Sequence, residues 1–143
     1  MPEIVHELAV RAPAEQVYQA LTSREGLENW WTRDVDIEPV QGSTAAFGFG
    51  APEHLLRMRI ERLKAFKLVH WRCVEGPAEW ANTEIRFLLK DQPEGTTVLF
   101  RHLKWKSLDG TLARESYRWA GFLRSLKFYL ERDAGMPYPH DIE

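Results

Sequence analysis

The C-terminal part of the chain carries the clearest periodic pattern. Apolar or small residues recur there at steps of four and three, at Leu112, Ser116, Trp119, Leu123, Leu126 and Leu130. This spacing places them on one face of an α-helix. With Asp109 as N-cap and Gly135 as C-terminal stop, the pattern predicts an amphipathic helix from about Asp109 to Asp133.

Alternation of apolar and polar residues dominates the segments before this helix. It predicts a first strand over residues 4–11, then two short helices, of which one begins near Pro13 and the other is capped by Ser23. Further alternating runs surround Phe47, Met58, Trp71, Phe87 and Phe100. Because each run has one apolar and one more polar face, we expect an antiparallel sheet that is solvated on one side.

The order of these elements predicts the fold class. One strand, two helices, a series of strands and one long helix indicate an α+β protein with a single domain over residues 1–143. The long helix must pack its apolar face on the sheet, and a curved antiparallel sheet around a helix readily leaves a hollow between them. This hollow is the predicted site of function.

Four segments carry a resemblance to a known superfamily. They are residues 11–22, Trp30-Trp31, residues 95–102 and the terminal helix. In these segments the chain resembles the START-like helix-grip (SRPBCC) superfamily, which includes START domains, polyketide cyclases and pathogenesis-related plant proteins. Within it, the chain is most similar to bacterial proteins related to the Hsp90 ATPase activator homologue.

The resemblance implies a helix-grip (START/Bet v 1-like) fold whose cavity holds a small hydrophobic or aromatic molecule. The eukaryotic activator contacts its chaperone largely through an additional N-terminal domain, and the present sequence starts directly at the grip domain. Chaperone activation is therefore not expected from the family name alone. An Hsp90-type interaction module and a polyketide cyclase-like enzyme that uses the same pocket are the two alternatives.

Aromatic residues provide most of the candidate lining. The chain contains six Trp, seven Phe and four Tyr, more than packing alone requires. The candidate ligand-binding residues, which lie at inward positions of the predicted elements, are Trp30, Trp31, Phe49, Trp71, Phe87, Phe100, His102, Trp119 and Leu123. Core packing is the alternative for each of them taken singly. Trp80 and Trp105 lie near predicted loops, where they would form rim or interface contacts.

His102 is the one weak catalytic candidate. If Phe100 faces the helix, His102 does so too, and an imidazole with a pKa near neutrality would then lie on the cavity wall. The alternative is a ring that is hydrogen-bonded locally at the strand end. Because no nucleophile elbow, phosphate loop or His-Glu-x-x-His helix occurs, enzymatic activity is not expected, and a cyclase-like reaction using His102 or Arg101 is kept as the alternative.

Charged residues on the polar faces are expected to be solvated or paired. Arg57, Arg59 and Arg86 lie on the outer face of the sheet, where cross-strand ion pairs explain them and where a chaperone would bind if the chain were an interaction module. The predicted solvated side of the long helix carries Arg114, Arg118 and Arg124.

Composition excludes several classes of partner. The formal net charge of −2 gives no field that favours nucleic acid or an anionic membrane, and no apolar segment is long enough to span a bilayer. Cys73 is the single cysteine and the histidines show no ligand spacing, so neither a metal nor a cofactor is expected. Without a signal-peptide pattern, a cytoplasmic location is expected.

Prolines on both sides of Tyr138 stiffen residues 136–139, which would pack on their own sheet or on a second copy, and a homodimer is therefore possible.

Overall fold

The computed structural model describes residues 1–141, and they form one antiparallel sheet and three α-helices. In chain order the elements are β1 (Ile4–Val10), α1 (Ala14–Thr22), α2 (Arg24–Trp30), β2 (Asp34–Asp36), β3 (Thr44–Gly48), β4 (Leu55–Lys64), β5 (Leu68–Glu75), β6 (Glu84–Gln92), β7 (Gly95–Leu103) and α3 (Leu112–Arg132). Single 3₁₀ turns at Pro52–His54 and Ala78–Trp80 interrupt two loops. The predicted α+β architecture is confirmed.

The sheet curves around α3 and has the strand order β1-β7-β6-β5-β4-β3-β2. Neighbouring strands align their inward residues in rows, as in the pairs Phe87–Phe100 and Ile85–His102 between β6 and β7. Two register shifts between β4 and β5, with extra residues at Val74 and Glu61, add bulges, which bend a sheet locally. The short edge strand β2 was not predicted, because three residues are too few to show an alternating pattern.

The long helix begins at Leu112, three residues after the predicted start, and ends at Arg132, within one residue of the predicted end, but its capping residues differ from those predicted. Thr111, not Asp109, is the N-cap, because Gly110 turns the chain with a φ of +89° just before the helix. Asp133, not Gly135, is the C-cap, in the left-handed conformation with its N–H directed at the last turn. Gly135 serves close packing instead, since a Cβ there would lie 1.9 Å from the carbonyl oxygen of Asn29.

Helix α3 also covers the free edge of β1. The backbone N–H of Arg11 donates to Glu131 Oε2 at 2.8 Å, and the ammonium group of Lys127 donates to the carbonyl of Ala9. Unpaired edge strands invite association with other chains, and a covering helix is one protection against it. In the part of the chain that the structure describes, no helix is long and apolar enough to cross a membrane.

The segment after α3 returns to the body of the domain. The N–H of Met136 donates to Ser125 Oγ at 2.7 Å. The N–H of Tyr138 then donates to the carbonyl of Trp31 at 2.8 Å, and the N–H of Arg33 donates to the carbonyl of Tyr138 at 3.2 Å. Residues 136–139 thus pack on their own domain, which was one of the two predicted possibilities.

The three arginines predicted on the outer face of the sheet each form an ion pair. That of Arg57 joins two strands as predicted, whereas those of Arg59 and Arg86 join residues of one strand. Arg57 Nε lies 3.3 Å from Glu75, Arg59 Nη1 lies 2.6 Å from Glu61, and Arg86 Nη2 lies 3.8 Å from Glu84. These arginine side chains are 43–48% exposed, so each pair contributes little to stability.

Candidate functional site

Aromatic rings fill the central space between α3 and the sheet. Trp119 lies 4.5 Å from Phe100 and 5.3 Å from Trp31, measured between ring centroids. Trp31 in turn stacks on Trp71 at 5.9 Å, and Phe87 lies 5.2 Å from Phe100. The centre of the predicted hollow is therefore closed by side chains.

A cleft remains open at one end of this aromatic core. Its volume is about 600 Å³, within the range of small-molecule sites. It lies between the N-terminal half of α3, the β3–β4 and β5–β6 loops and the tail after α3. The aromatic lining consists of Trp31, Phe49, Trp80, Trp119, Phe122 and Tyr138, and the polar lining includes Glu53, His54, Glu79, Arg114, Glu115 and Arg118.

Helical spacing explains how α3 supplies one wall of the cleft. Thr111, Glu115, Arg118 and Phe122 follow one another at steps of four, three and four, so they lie along one side of the helix. This side adjoins the apolar stripe through Trp119 but is polar near the start of the helix. The cleft is consequently aromatic at its inner end and charged towards its mouth.

Three of the nine predicted ligand-binding residues line the cleft, namely Trp31, Phe49 and Trp119. The other six, Trp30, Trp71, Phe87, Phe100, His102 and Leu123, are buried in the core and do not line it. Trp30 illustrates the difference, because its indole N–H donates to the carbonyl of Ala20 at 2.7 Å within the domain. The bulk of these side chains closes the space that the topology alone would leave.

His102 is a buried structural residue with both ring nitrogens engaged. Its side chain is 0% exposed, Nδ1 accepts a hydrogen bond from Trp119 Nε1 at 3.1 Å, and Nε2 lies 2.8 Å from Thr83 Oγ1. The Thr83 hydroxyl donates to the carbonyl of Trp80 at 2.6 Å, so it accepts from Nε2–H. Burial lowers the pKa of His102 to about 3. The expectation of a pKa near neutrality on the cavity wall is therefore wrong, and the locally bonded alternative holds.

Arg101 offers no substitute for a cyclase-like role. It lies on the outer face of the sheet, where its Nε donates to Glu3 Oε1 at 2.9 Å. Cys73 is also unsuited to nucleophilic chemistry, because burial raises its pKa to about 11. Among residues 1–141, no group of three or more His, Cys, Asp and Glu side chains has the arrangement of a metal site.

Arg118 corrects the prediction of a solvated arginine. Its guanidinium carbon lies 5.3 Å from the ring centroid of Phe122, 5.8 Å from that of Phe49 and 5.9 Å from that of Tyr138, all within cation–π range. Its Nη2 lies 3.6 Å from Asp141 Oδ2. The hydropathy pattern assigned Arg118 to the solvent because it cannot distinguish a cleft from the exterior.

Two carboxylates near the mouth differ in their environments. Glu79 accepts hydrogen bonds from the backbone N–H of Thr111 at 3.2 and 3.3 Å, and its hydrogen bonding to Thr111 lowers its pKa. Its position at the start of α3 also places it at the positive end of the helix dipole. In contrast, burial raises the pKa of Glu115, and the nearby Arg118 and Arg114 oppose this only in part.

Trp80, Phe122 and Tyr138 complete the lining but were absent from the predicted site. Trp80 is buried and reaches the cleft from a 3₁₀ turn in the β5–β6 loop, so its predicted rim position is close to the observed one. Trp105, also predicted at the rim, is buried in the core. Phe122 lies one step beside the apolar stripe of α3, and Tyr138 arrives through the packing of the tail. A helical projection that included the neighbours of Trp119 would have indicated Phe122.

Comparisons with known proteins agree with this fold. The family model described as activator of Hsp90 ATPase homolog 1-like protein matches residues 11–131. The solution structure of the Aha1 dimer from Colwellia psychrerythraea is 36% identical in sequence and superposes with a TM-score of 0.87, covering 94% of this chain and 100% of that one. No curated protein matches the chain in sequence.

More distant structures share the fold alone. Protein SSP2350 from Staphylococcus saprophyticus is 22% identical with a TM-score of 0.79, covering 94% of this chain and 95% of its own. CalU16 from Micromonospora echinospora is 17% identical with a TM-score of 0.74, covering 92% of this chain and 75% of its own. The resemblance noted in the sequence is thereby confirmed.

Proposed function

The chain belongs to the family of activator of Hsp90 ATPase homolog 1-like proteins, and we propose that it binds a small hydrophobic or aromatic molecule in its aromatic cleft. The ligand lies in the cleft between α3 and the end of the sheet. Of the residues predicted for this role, Trp31, Phe49 and Trp119 contact it.

The size and lining of the cleft carry this proposal. A volume of about 600 Å³ admits a molecule of two or three fused rings, and six aromatic side chains surround it. Binding would remove apolar ligand surface from water, which contributes roughly 25 cal/mol per Å² before the costs of association are subtracted. The flat faces of the tryptophans favour an aromatic guest.

A blocking variant tests the proposal. Ala78 is exposed at the wall of the cleft, so Ala78→Trp would fill part of it, whereas Ala120→Trp adds the same side chain on the exposed side of α3. We expect the neutral dye N-phenyl-1-naphthylamine to bind the original protein and Ala120→Trp with saturable fluorescence enhancement. Ala78→Trp should bind it at least tenfold more weakly. Equal binding by all three proteins would place the site elsewhere, and no saturable binding by the original protein would contradict the proposal.

The second candidate function is binding to an Hsp90-type chaperone, as the family description and the Colwellia relative suggest. The contact surface would be the outer face of the sheet, which carries the half-exposed Arg57, Arg59 and Arg86. This function requires the protein and the chaperone to be in the same compartment, the cytoplasm. A pull-down with the purified bacterial chaperone separates the two functions. Chaperone binding that is lost when Arg57, Arg59 and Arg86 are all replaced by Gln, but retained in Ala78→Trp, would support this second function. If the original protein is not retained by the chaperone, the second function is contradicted.

Self-association is a third property to test. The relative from Colwellia psychrerythraea was solved as a dimer, and we propose a homodimer for the present chain by analogy. Sedimentation velocity over a hundredfold concentration range should show a concentration-dependent shift from monomer to dimer. A single monomeric species throughout would contradict the analogy.

A further inference from the structure

Arg118 has an unused hydrogen-bond donor inside the cleft. Its Nε is buried and has no hydrogen-bond partner within residues 1–141. The aromatic rings of Phe49, Phe122 and Tyr138 lie around the guanidinium group, and they cannot accept a conventional hydrogen bond from it. A buried donor that is left unpaired costs free energy, so a small shift of the guanidinium group that lets a ligand oxygen pair Nε is favourable.

Among the described residues, the counter-ion of Arg118 is Asp141, and it is weakly held. Asp141 Oδ2 lies 3.6 Å from Nη2, well beyond the roughly 2.7–2.9 Å of a charge-assisted hydrogen bond. Asp141 belongs to the tail after α3, and its carboxylate lies next to Nη2, which shares one edge of the planar guanidinium group with Nε. A ligand carboxylate that pairs both Nε and Nη2 would therefore take the place of Asp141, whose side chain would turn away.

The carboxylates of the cleft do not neutralise Arg118. Glu79 is held by the backbone at the start of α3, and Glu53 is exposed at the mouth. Glu115 forms no ion pair with Arg118 among the described residues, and burial raises its pKa. Arg118 thus places a partly exposed positive charge directly beside three aromatic rings of the cleft.

We propose that the ligand is an aromatic molecule with an anionic group, of the carboxylate class, which accepts a hydrogen bond from Arg118 Nε while its rings pack against Trp31 and Trp119. This inference rests on the proposed ligand-binding function and adds to it the chemical class of the ligand. Arg118 would serve as the positioning cation, and the aromatic lining would provide most of the contact area.

Two dyes that differ by one anionic group provide the test. 1-Anilinonaphthalene-8-sulfonate is N-phenyl-1-naphthylamine with an added sulfonate, which here represents the carboxylate. We expect the original protein to bind the sulfonate dye at least tenfold more tightly than the neutral dye, as a charge-assisted hydrogen bond in a partly buried site would give.

Matched variants assign this preference to Arg118. Arg118→Met keeps most of the aliphatic volume and should weaken binding of the sulfonate dye at least tenfold while leaving the neutral dye within about twofold. Asp141→Asn should strengthen sulfonate binding selectively, because it removes a competing carboxylate. Arg124→Met, at an exposed position on the other side of α3, should change neither dye, and circular dichroism should show that each variant is folded.

The outcomes separate this inference from the function on which it rests. If the neutral dye binds and the sulfonate dye binds no more tightly, the anionic ligand class is wrong while the binding function stands. Equal weakening of both dyes by Arg118→Met would show that Arg118 only shapes the cleft, which also overturns the inference. If neither dye binds the original protein, both proposals fail.

Discussion

The buried imidazole of His102 should make the stability of the protein depend on pH. It is 0% exposed, and the bonds with Trp119 and Thr83 fit only the neutral ring with its proton on Nε2. Burial lowers its pKa to about 3 from an ordinary value of 6.5. Below pH 6.5 the unfolded chain therefore binds a proton at His102 that the folded chain does not accept.

The magnitude follows from linkage. The contribution of His102 to the free energy of unfolding is complete above pH 6.5 and is lost as the pH falls from 6.5 towards 3. Each pH unit in this window costs up to about 1.4 kcal/mol, so between pH 8 and pH 5 the loss is about 2 kcal/mol.

Urea unfolding followed by tryptophan fluorescence measures this effect. We expect His102→Gln to be less stable than the original protein at pH 8, because it loses buried contacts, but to lose about 2 kcal/mol less between pH 8 and pH 5. His54→Gln, which removes an exposed histidine, is the matched control. Parallel curves for the original protein and His102→Gln would refute the reasoning. So would an NMR titration in which the His102 ring gains a proton near pH 6.

Three further predictions test the packing. Trp119→Ala removes a side chain that is 2% exposed and leaves His102 Nδ1 without its donor. We expect the free energy of unfolding in urea to fall by about 3–5 kcal/mol, and a fall below about 1 kcal/mol would contradict the role of Trp119 in the core. Gly26→Ala would place a Cβ 2.5 Å from the Cα of Ala20, so the melting temperature should fall by several degrees, and an unchanged value would show that the two helices separate freely. Cys73, buried with a pKa of about 11, should react with a disulfide reagent at pH 8 only at the rate of unfolding, and prompt reaction would contradict its burial.

The sequence predicted the regular elements well, because one-sided burial imposes a period on them. The alternation in β7, with Val98, Phe100 and His102 inward, and the stripe on α3 are direct results of packing against one face. The start of α3 depends instead on tertiary contacts, such as those of Glu79 with Thr111, which a periodic pattern does not contain. Residue type alone favoured Asp109 and Gly135 as the capping residues, whereas the tertiary structure places the caps at Thr111 and Asp133.

The candidate site was less predictable than the fold, because inward orientation does not distinguish a core residue from a lining residue. Phe87 and Phe100 point inward as expected, yet each contacts other rings and leaves no space for a guest. Arg118 shows the converse case. It is polar, so its pattern indicated solvent, but its helical position places it between Thr111 and Phe122 on the cleft side of α3.

The packing of large rings explains why the cleft lies at the end of the domain. Trp31, Trp71 and Trp119 span the distance between α3 and the sheet at its centre, so open space remains only where loops replace strands as the opposing wall. At that end, the β3–β4 and β5–β6 loops and the start of α3 provide most of the polar lining. Loops tolerate sequence change better than the packed centre does. Ligand specificity would then be set by Arg118, Glu115 and the loop residues, while the tryptophans that define the inner wall also maintain the fold. Substitutions at the mouth should accordingly change which molecule binds without the large loss of stability expected for Trp119→Ala.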